Sequence, residues 1–301
     1  MKSDLLKKKP LVDKFLRECP TRLSAFSFVN IFAWKDFFDF TFEIKDNCLC
    51  IFASNAIGTF LYLPPLGKNI SSDVIQGCFE TMERLNKGSG VSRIENVPQE
   101  AVKYFSSREF RLESKSEEYL YERKNIAEFS GNRFKSKRSS YNYFVKNFKC
   151  EYLPFKMSMK KECRDLYDSW ASHKALGSDD IIFRQMLEDN RIVHQTVMTH
   201  YDSLELSGRV VCIDGKIKGY TFGFALNRDI FCVLFEIVDL SIKGLSSFIF
   251  KEFCSDGAVK PFRYINVMDD FGLTNIRKTK LSFHPSALVP SYVVSRKKDH
   301  E

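Results

Sequence analysis

From residue 203 to residue 238 the chain alternates apolar runs with tight polar turns, a pattern that admits few folds. Runs at 203–213, 216–226 and 230–238 are rich in Val, Ile and aromatic residues and are separated by Asp214-Gly215 and by Asn227-Arg228-Asp229. Both separators are hairpin signals, because Asp, Asn and Gly accept the positive φ of a short turn between antiparallel strands. Three consecutive strands therefore read as a meander. Helical spacing of apolar residues brackets it, at 160–176 and 180–193 on one side and at 243–255 on the other.

A strand at 151–157 precedes this block, and a strand at 263–267, a helix at 273–281 and a last strand near 289–294 follow it. The order β-α-α-β-β-β-α-β-α-β is that of the GNAT-type acyltransferase fold. The N-terminal half repeats much of it, with a helix at 24–38, strands at 40–44, 48–53 and 59–63, a helix at 73–85, a strand at 91–95, a helix at 99–105 and a strand at 119–123. A chain of 301 residues is long enough for two cores. The expected fold class is α+β, with two GNAT-like domains at 1–130 and 151–301, each a mostly antiparallel sheet flanked by helices. A long basic helix at 131–150 joins them. In it Phe134, Tyr141, Val145 and Phe148 form one apolar stripe, and Lys135, Arg138, Asn142, Lys146 and Lys149 form the adjacent one.

Charge is concentrated in the same place. The chain carries +8 overall, and residues 123–149 alone hold eight Lys or Arg against one acid, Glu128. A local excess of this kind suits a phosphate-rich partner, and Tyr141 and Tyr143 among the cations could stack on unpaired bases, so the helix at 133–149 is a candidate surface for RNA. A solvated helix face has the same appearance. No apolar run approaches the roughly 20 residues of a spanning helix. The N-terminus has no secretory pattern, and the expectation is a cytoplasmic protein, with little order expected only at 1–9 and 296–301. Nine scattered cysteines lack metal spacing, Cys48 and Cys50 being the one close pair, and they read as free buried thiols. The five histidines show no metal spacing either, so no metal is expected.

The densest chemistry lies at 266–285, where a strand end runs into Asp269 and Asp270, a turn at Gly272 and a basic helix. Asp270 could deprotonate an acceptor, hold an ammonium group, or cap the helix. Arg277 and Lys280 share a face and could hold phosphates, or be ordinary surface cations. Glu236 and Asp239 close the strand that adjoins this one in the fold, and they could face the same mouth or form a turn before Lys243. Arg138 borders the apolar stripe, where an interdomain salt bridge is the favoured role. In the loop Ser241-Ile-Lys-Gly244-Leu-Ser246, Lys243 and Gly244 stand where an acyl-coenzyme A enzyme would seat its pyrophosphate, and one of three signature positions fits.

Motifs along nearly the whole chain resemble the C-terminal catalytic domain of the bacterial phosphatidylglycerol lysyltransferases. They are Phe28-Val-Asn30-Ile-Phe-Ala-Trp34, Tyr62-Leu-Pro64-Pro65-Leu-Gly67, Arg93-Ile-Glu-Asn-Val-Pro98, Tyr119-Leu-Tyr121, the basic run Phe134-Lys-Ser-Lys137-Arg138, and Asp270, Gly272, Arg277, Lys280 and Pro285. Ser139 and the run Glu236-Ile-Val-Asp239 depart from the family pattern, which has Asn and a Glu-Lys-Ala-Asp run. The resemblance implies a tandem GNAT-like fold and aminoacyl transfer from a charged tRNA to a lipid head group or other small acceptor, with no cofactor and with peripheral membrane contact. Catalytic roles would fall to Asp270, Glu236 and Asp239, and substrate binding to Arg277, Lys280, Lys243, Gly244, Arg138 and Lys137. An acyl-CoA-dependent N-acyltransferase, and a non-catalytic RNA- or ligand-binding protein with a degenerate site, are the competing readings.

Overall fold

The computed structural model describes residues 5–87, 90–176 and 180–297. In chain order the elements are α1 (Lys9–Glu18), α2 (Phe28–Ala33), β1 (Asp39–Lys45), β2 (Cys48–Ser54), β3 (Thr59–Leu61), α3 (Ser72–Asn86), β4 (Arg93–Pro98) and β5 (Phe110–Glu122). They continue with α4 (Arg123–Glu128), α5 (Lys135–Asn147), β6 (Glu151–Pro154), α6 (Lys160–Leu176), α7 (Ile181–Thr199), β7 (Ser207–Ile213), β8 (Lys216–Ala225), β9 (Ile230–Val238), α8 (Leu245–Ser255), β10 (Tyr264–Asn266), α9 (Thr274–Leu281) and β11 (Ala287–Arg296). Order begins earlier than composition suggested, because Leu5 is buried and α1 starts at Lys9. Residues 1–4 and 298–301 lie outside the described residues.

Two compact units result. The first comprises Met1–Glu118, Asp269–Gly272 and Leu288–Glu301, and the second Tyr119–Met268 and Leu273–Ala287. Neither is contiguous in sequence: the last four residues of β5 belong to the second unit, and β11 from Leu288 onward belongs to the first. Helix α5, expected as a connector, belongs to the second unit.

In the first unit β1, β2 and β3 run antiparallel, β3 meets β4 in parallel at Leu61 and Ile94, and β4 pairs antiparallel with β11. Strand β2 is buried along nearly its whole length, which explains its continuous apolar sequence. Ser71 caps α3 by accepting the Val74 amide, and the helix lays Val74, Ile75, Phe79 and Met82 into a core with Phe52, Leu61, Ile94 and Val97. Cys50 and Cys78 meet in that core with their sulfurs 3.3 Å apart, and all nine cysteines are free thiols.

The second unit contains the expected meander. β6, β7, β8 and β9 are antiparallel neighbours, and Asp214 and Gly215 both adopt the positive φ that the hairpin signal required. β9 then pairs in parallel with β10, over Ile230–Cys232 and Tyr264–Asn266 only, and β10 pairs antiparallel with the end of β5. The parallel pairing stops at Cys232 while β9 continues to Val238, so its second half has β8 as its sheet partner and no ladder to β10. The sheet is forked there.

Helix α8 packs over this fork and α5 packs over α8. Phe144 lies 4.6 Å from Phe248 between ring centroids, and the Tyr141 hydroxyl donates to Glu252 at 2.7 Å. The buried stripe of α5 is therefore Tyr141, Phe144 and Phe148, and Val145, expected on it, is 52% exposed. Spacings of four and three residues both fit a helix face, and packing on Phe248 decides between them. The choice matters, because Lys137 precedes Tyr141 by one turn on the buried stripe.

Candidate active site

Glu236 stands on the second half of β9, beyond the last residue paired with β10. A bulge places it. The register steps from Val233 opposite Gly223 to Phe235 opposite Phe222, so Leu234 is an extra residue. Before the bulge Phe231 packs on Phe253 of α8, whereas after it Phe235 stacks on His194 of α7 at 3.6 Å. Glu236 is thereby turned toward α8, where it accepts a 2.9 Å hydrogen bond from the Ser246 hydroxyl in the first turn of that helix.

The second partner comes from α5. Lys137, half-buried, sets its ammonium 3.6 Å from the centroid of the Phe283 ring and acts on Glu236 through its charge. Burial pushes the Glu236 carboxyl up to about 7, against the Ser246 hydrogen bond and the charge of Lys137. Burial lowers the Lys137 amine to about 8, against the pull of Glu236. A carboxylate and an ammonium with values this close to neutrality exchange protons readily at pH 7. Tyr121 and Cys254 also feel Glu236, and burial foremost raises both of them, so they stay neutral. Phe250 meets Tyr121 edge-on at 5.9 Å and Phe283 at 5.0 Å, giving the site an aromatic wall.

Other residues singled out in the sequence sit in structural roles. Asp239 accepts from Lys218 at 2.9 Å and from the Ser241 hydroxyl and amide, forming the turn that the alternative reading described. Burial works upward on its carboxyl, and these partners outweigh it and hold the value below the ordinary one. Gly244, at φ +88°, passes so close to α5 that a Cβ would overlap the Ser140 carbonyl oxygen, and Lys243 lies over the Tyr143 ring at 4.7 Å. Arg138 donates to the carbonyls of Phe129 and Gly131, so backbone oxygens beyond the end of α4 take the place of the expected salt-bridge partner. The Lys280 ammonium donates to the Val267 carbonyl at 2.7 Å and ties the strand-to-helix turn, while the Tyr121 hydroxyl donates to the Lys280 carbonyl at 2.8 Å. Arg277 is exposed on α9. Asp270 belongs to the first unit, and its carboxylate accepts the Gly272 amide at 2.9 Å; the N-cap position of α9 is Leu273, not Asp270.

Of the residues expected at the site, the structure brings Glu236 and Lys137 together. Ser246, Tyr121 and Phe283 join them. Tyr121 and Ser246 lie in recognisable sequence motifs, but nothing in the sequence pointed a serine at the start of α8 toward a glutamate ten residues earlier. Among the described residues no group of three His, Cys, Asp or Glu could hold a metal ion, and no helix is long and apolar enough to cross a membrane.

The structure is similar to a conserved protein of unknown function from Bacteroides thetaiotaomicron, with a TM-score of 0.83, 23% identity and 97% of each chain covered. It is similar to L-PGS from Bacillus licheniformis, with a TM-score of 0.64 and 16% identity over 96% of this chain and 92% of that one. A tandem GNAT protein from the clavulanic acid biosynthesis pathway aligns with a TM-score of 0.53 and 7% identity over 99% of this chain and 98% of that one. The α+β architecture is thus that of tandem GNAT-like acyltransferases. No curated protein matches the sequence. The sequence does match the family described as phosphatidylglycerol lysyltransferase, C-terminal, over residues 17–295, and to that family the chain belongs.

Proposed function

We propose that this acyltransferase moves an aminoacyl group from aminoacyl-tRNA to the hydroxyl of a lipid head group or a comparable small acceptor, with Glu236 as the general base. The observation that carries the reading is the Glu236 carboxyl, poised near pH 7 between the Ser246 hydroxyl and the Lys137 ammonium at the sheet fork. The acceptor hydroxyl gives its proton to Glu236 as its oxygen attacks the ester carbonyl. The tetrahedral oxyanion is stabilised by the Lys137 ammonium and by the amides at the start of α8. Collapse expels the tRNA ribose hydroxyl, which takes the proton back from Glu236. Nothing is oxidised or reduced, and no cofactor is needed beyond the charged donor.

The exposed edge of α5, with Lys135, Asn142, Tyr143 and Lys146, and Lys149 just beyond its end, suits the phosphates and unpaired bases of the donor. A donor of this kind places the protein in the cytoplasm. Asp270 and Arg277 remain candidates for contacts to the substrates.

The test is transfer of a labelled amino acid from charged tRNA into lipid extract, read by mass spectrometry. The wild type is expected to label a lipid and Glu236→Gln to lose about 10²- to 10⁴-fold in rate. Turnover of acyl-coenzyme A in place of charged tRNA would assign the chain to the acyl-CoA-dependent enzymes. RNA binding without turnover, unaffected by Glu236→Gln, would make it a binding protein.

A further inference from the structure

Helices α6 and α7 form an antiparallel pair, held by the Tyr167 hydroxyl donating to the Leu187 carbonyl at 2.8 Å and by an ion pair between Arg191 and Asp168. At the tip of this pair, Leu176 is 88% exposed, Ile181 81% and Ile182 73%, and among the described residues no other pair of adjoining helix ends presents three large aliphatic side chains to solvent. The helix does not require them. Asp180 already caps α7 by accepting the Ile182 and Phe183 amides, and β-branched residues gain nothing in a solvent-facing first turn.

From this tip we infer a lipid-docking surface: Leu176, Ile181 and Ile182 insert into the interfacial zone of an anionic bilayer. The inference rests on the lipid acceptor proposed above. Its occupant follows from size and charge. Three side chains offer only a few hundred Å², well short of the roughly 800 Å² per partner in a stable protein interface, but convex aliphatic tips of this size enter a bilayer surface readily. Lys174 and Arg184 stand close behind the tip, one on each helix, where anionic head groups would lie, and the one described carboxylate at the tip, Asp180, is turned onto the Ile182 and Phe183 amides. Trp170, with Lys174 at 5.8 Å from its ring, adds an interfacial type of residue to the same end of α6.

The experiment is co-sedimentation of the whole protein with vesicles of equimolar phosphatidylglycerol and phosphatidylcholine, without tRNA. The wild type is expected to bind. The triple variant Leu176→Ser, Ile181→Ser, Ile182→Ser, all at exposed positions, is expected to bind at least tenfold more weakly while melting as the wild type does. Equal binding by both proteins overturns the inference, as does absence of wild-type binding or a concentration-dependent dimer that only the triple variant loses. Transfer to a dispersed short-chain lipid separates the two readings. If the variant keeps that activity and loses vesicle binding, docking stands apart from chemistry. If vesicle-bound wild type transfers nothing from charged tRNA, the transferase reading fails and docking survives.

Discussion

The two units use the same device, a parallel strand pair set beside antiparallel ones, and hold two of their buried glutamates, Glu95 and Glu236, in opposite ways. In the first unit Glu95 is clamped by Arg93 at 2.6 Å and Lys115 at 2.5 Å, and Glu118 accepts both the amide and the hydroxyl of Ser24. Burial would raise the Glu95 carboxyl, but Lys115 and Arg93 outweigh it and hold the value below normal. In the second unit Glu236 has one hydroxyl and one half-buried ammonium, and its carboxyl rises instead. The lesson is that a saturated carboxylate serves folding, whereas an under-satisfied one is available for chemistry.

That contrast can be broken by matched substitutions. Glu236→Gln should abolish most transfer while leaving the fold intact, whereas Glu95→Gln should cost about 2 kcal/mol of stability, because it leaves two cations without their partner. Denaturant titration alongside the transfer assay checks both. If Glu95→Gln melts normally, the assignment of roles to the two units is wrong.

Acidity sharpens the comparison further. The transfer rate should rise with pH as Glu236 ionises at about 7 and fall as Lys137 loses its proton at about 8, a bell whose limbs belong to the pair jointly. Lys137→Met should move the acid limb to higher pH. Stability follows with definite signs. Glu236 favours its proton in the folded state, so its stabilising contribution is present at acid pH and is lost as pH rises through about 7. Lys137 favours the neutral form, so its contribution is present only above the unfolded amine value of 10.5 and is lost as pH falls through about 8. Near neutrality Lys137 is therefore held charged against its burial, while Glu236 is divided between its neutral and ionised forms. Glu236→Gln should accordingly be more stable than the wild type at pH 8, by on the order of 1 kcal/mol after screening, and not at pH 4.

Smaller effects probe the scaffold of the second unit. Gly244→Ala should destabilise by about 1–3 kcal/mol, since it adds a Cβ at positive φ against the Ser140 carbonyl. Arg138→Ala should cost about 1 kcal/mol by releasing the carbonyls beyond α4. Thermal melts distinguish these from Lys146→Ala, which should leave melting unchanged and only flatten the salt dependence of RNA binding.

Much of the architecture was legible because hydrophobic period and turn chemistry agree. α6 and β9 fall at the residues their patterns define, and the Asp214-Gly215 turn has the backbone its composition demands. Failures arose where a distant partner decides. A helix was expected across 24–38, yet only Phe28–Ala33 is helical, because the Ser24 amide and hydroxyl are held by Glu118, 94 residues away. The inward turn of Lys137 depended on whether Phe144 or Val145 faces α8, which spacing alone leaves open. The partners of Asp239 and Arg138 are likewise set by a neighbouring strand and by carbonyls beyond a helix end, to which no side-chain pattern refers.

The extra residue at Leu234 has a consequence for parity. Strands are addressed by counting, odd residues to one layer and even to the other, and this strand changes its count midway. Continued without the bulge, the register of Phe231 and Cys232 would set Glu236 opposite Tyr220, in the layer under α6 and α7, instead of opposite Thr221. A relative with the same glutamate at the same distance along the strand, but one residue fewer in its bulge, would therefore carry the proposed base in the wrong column.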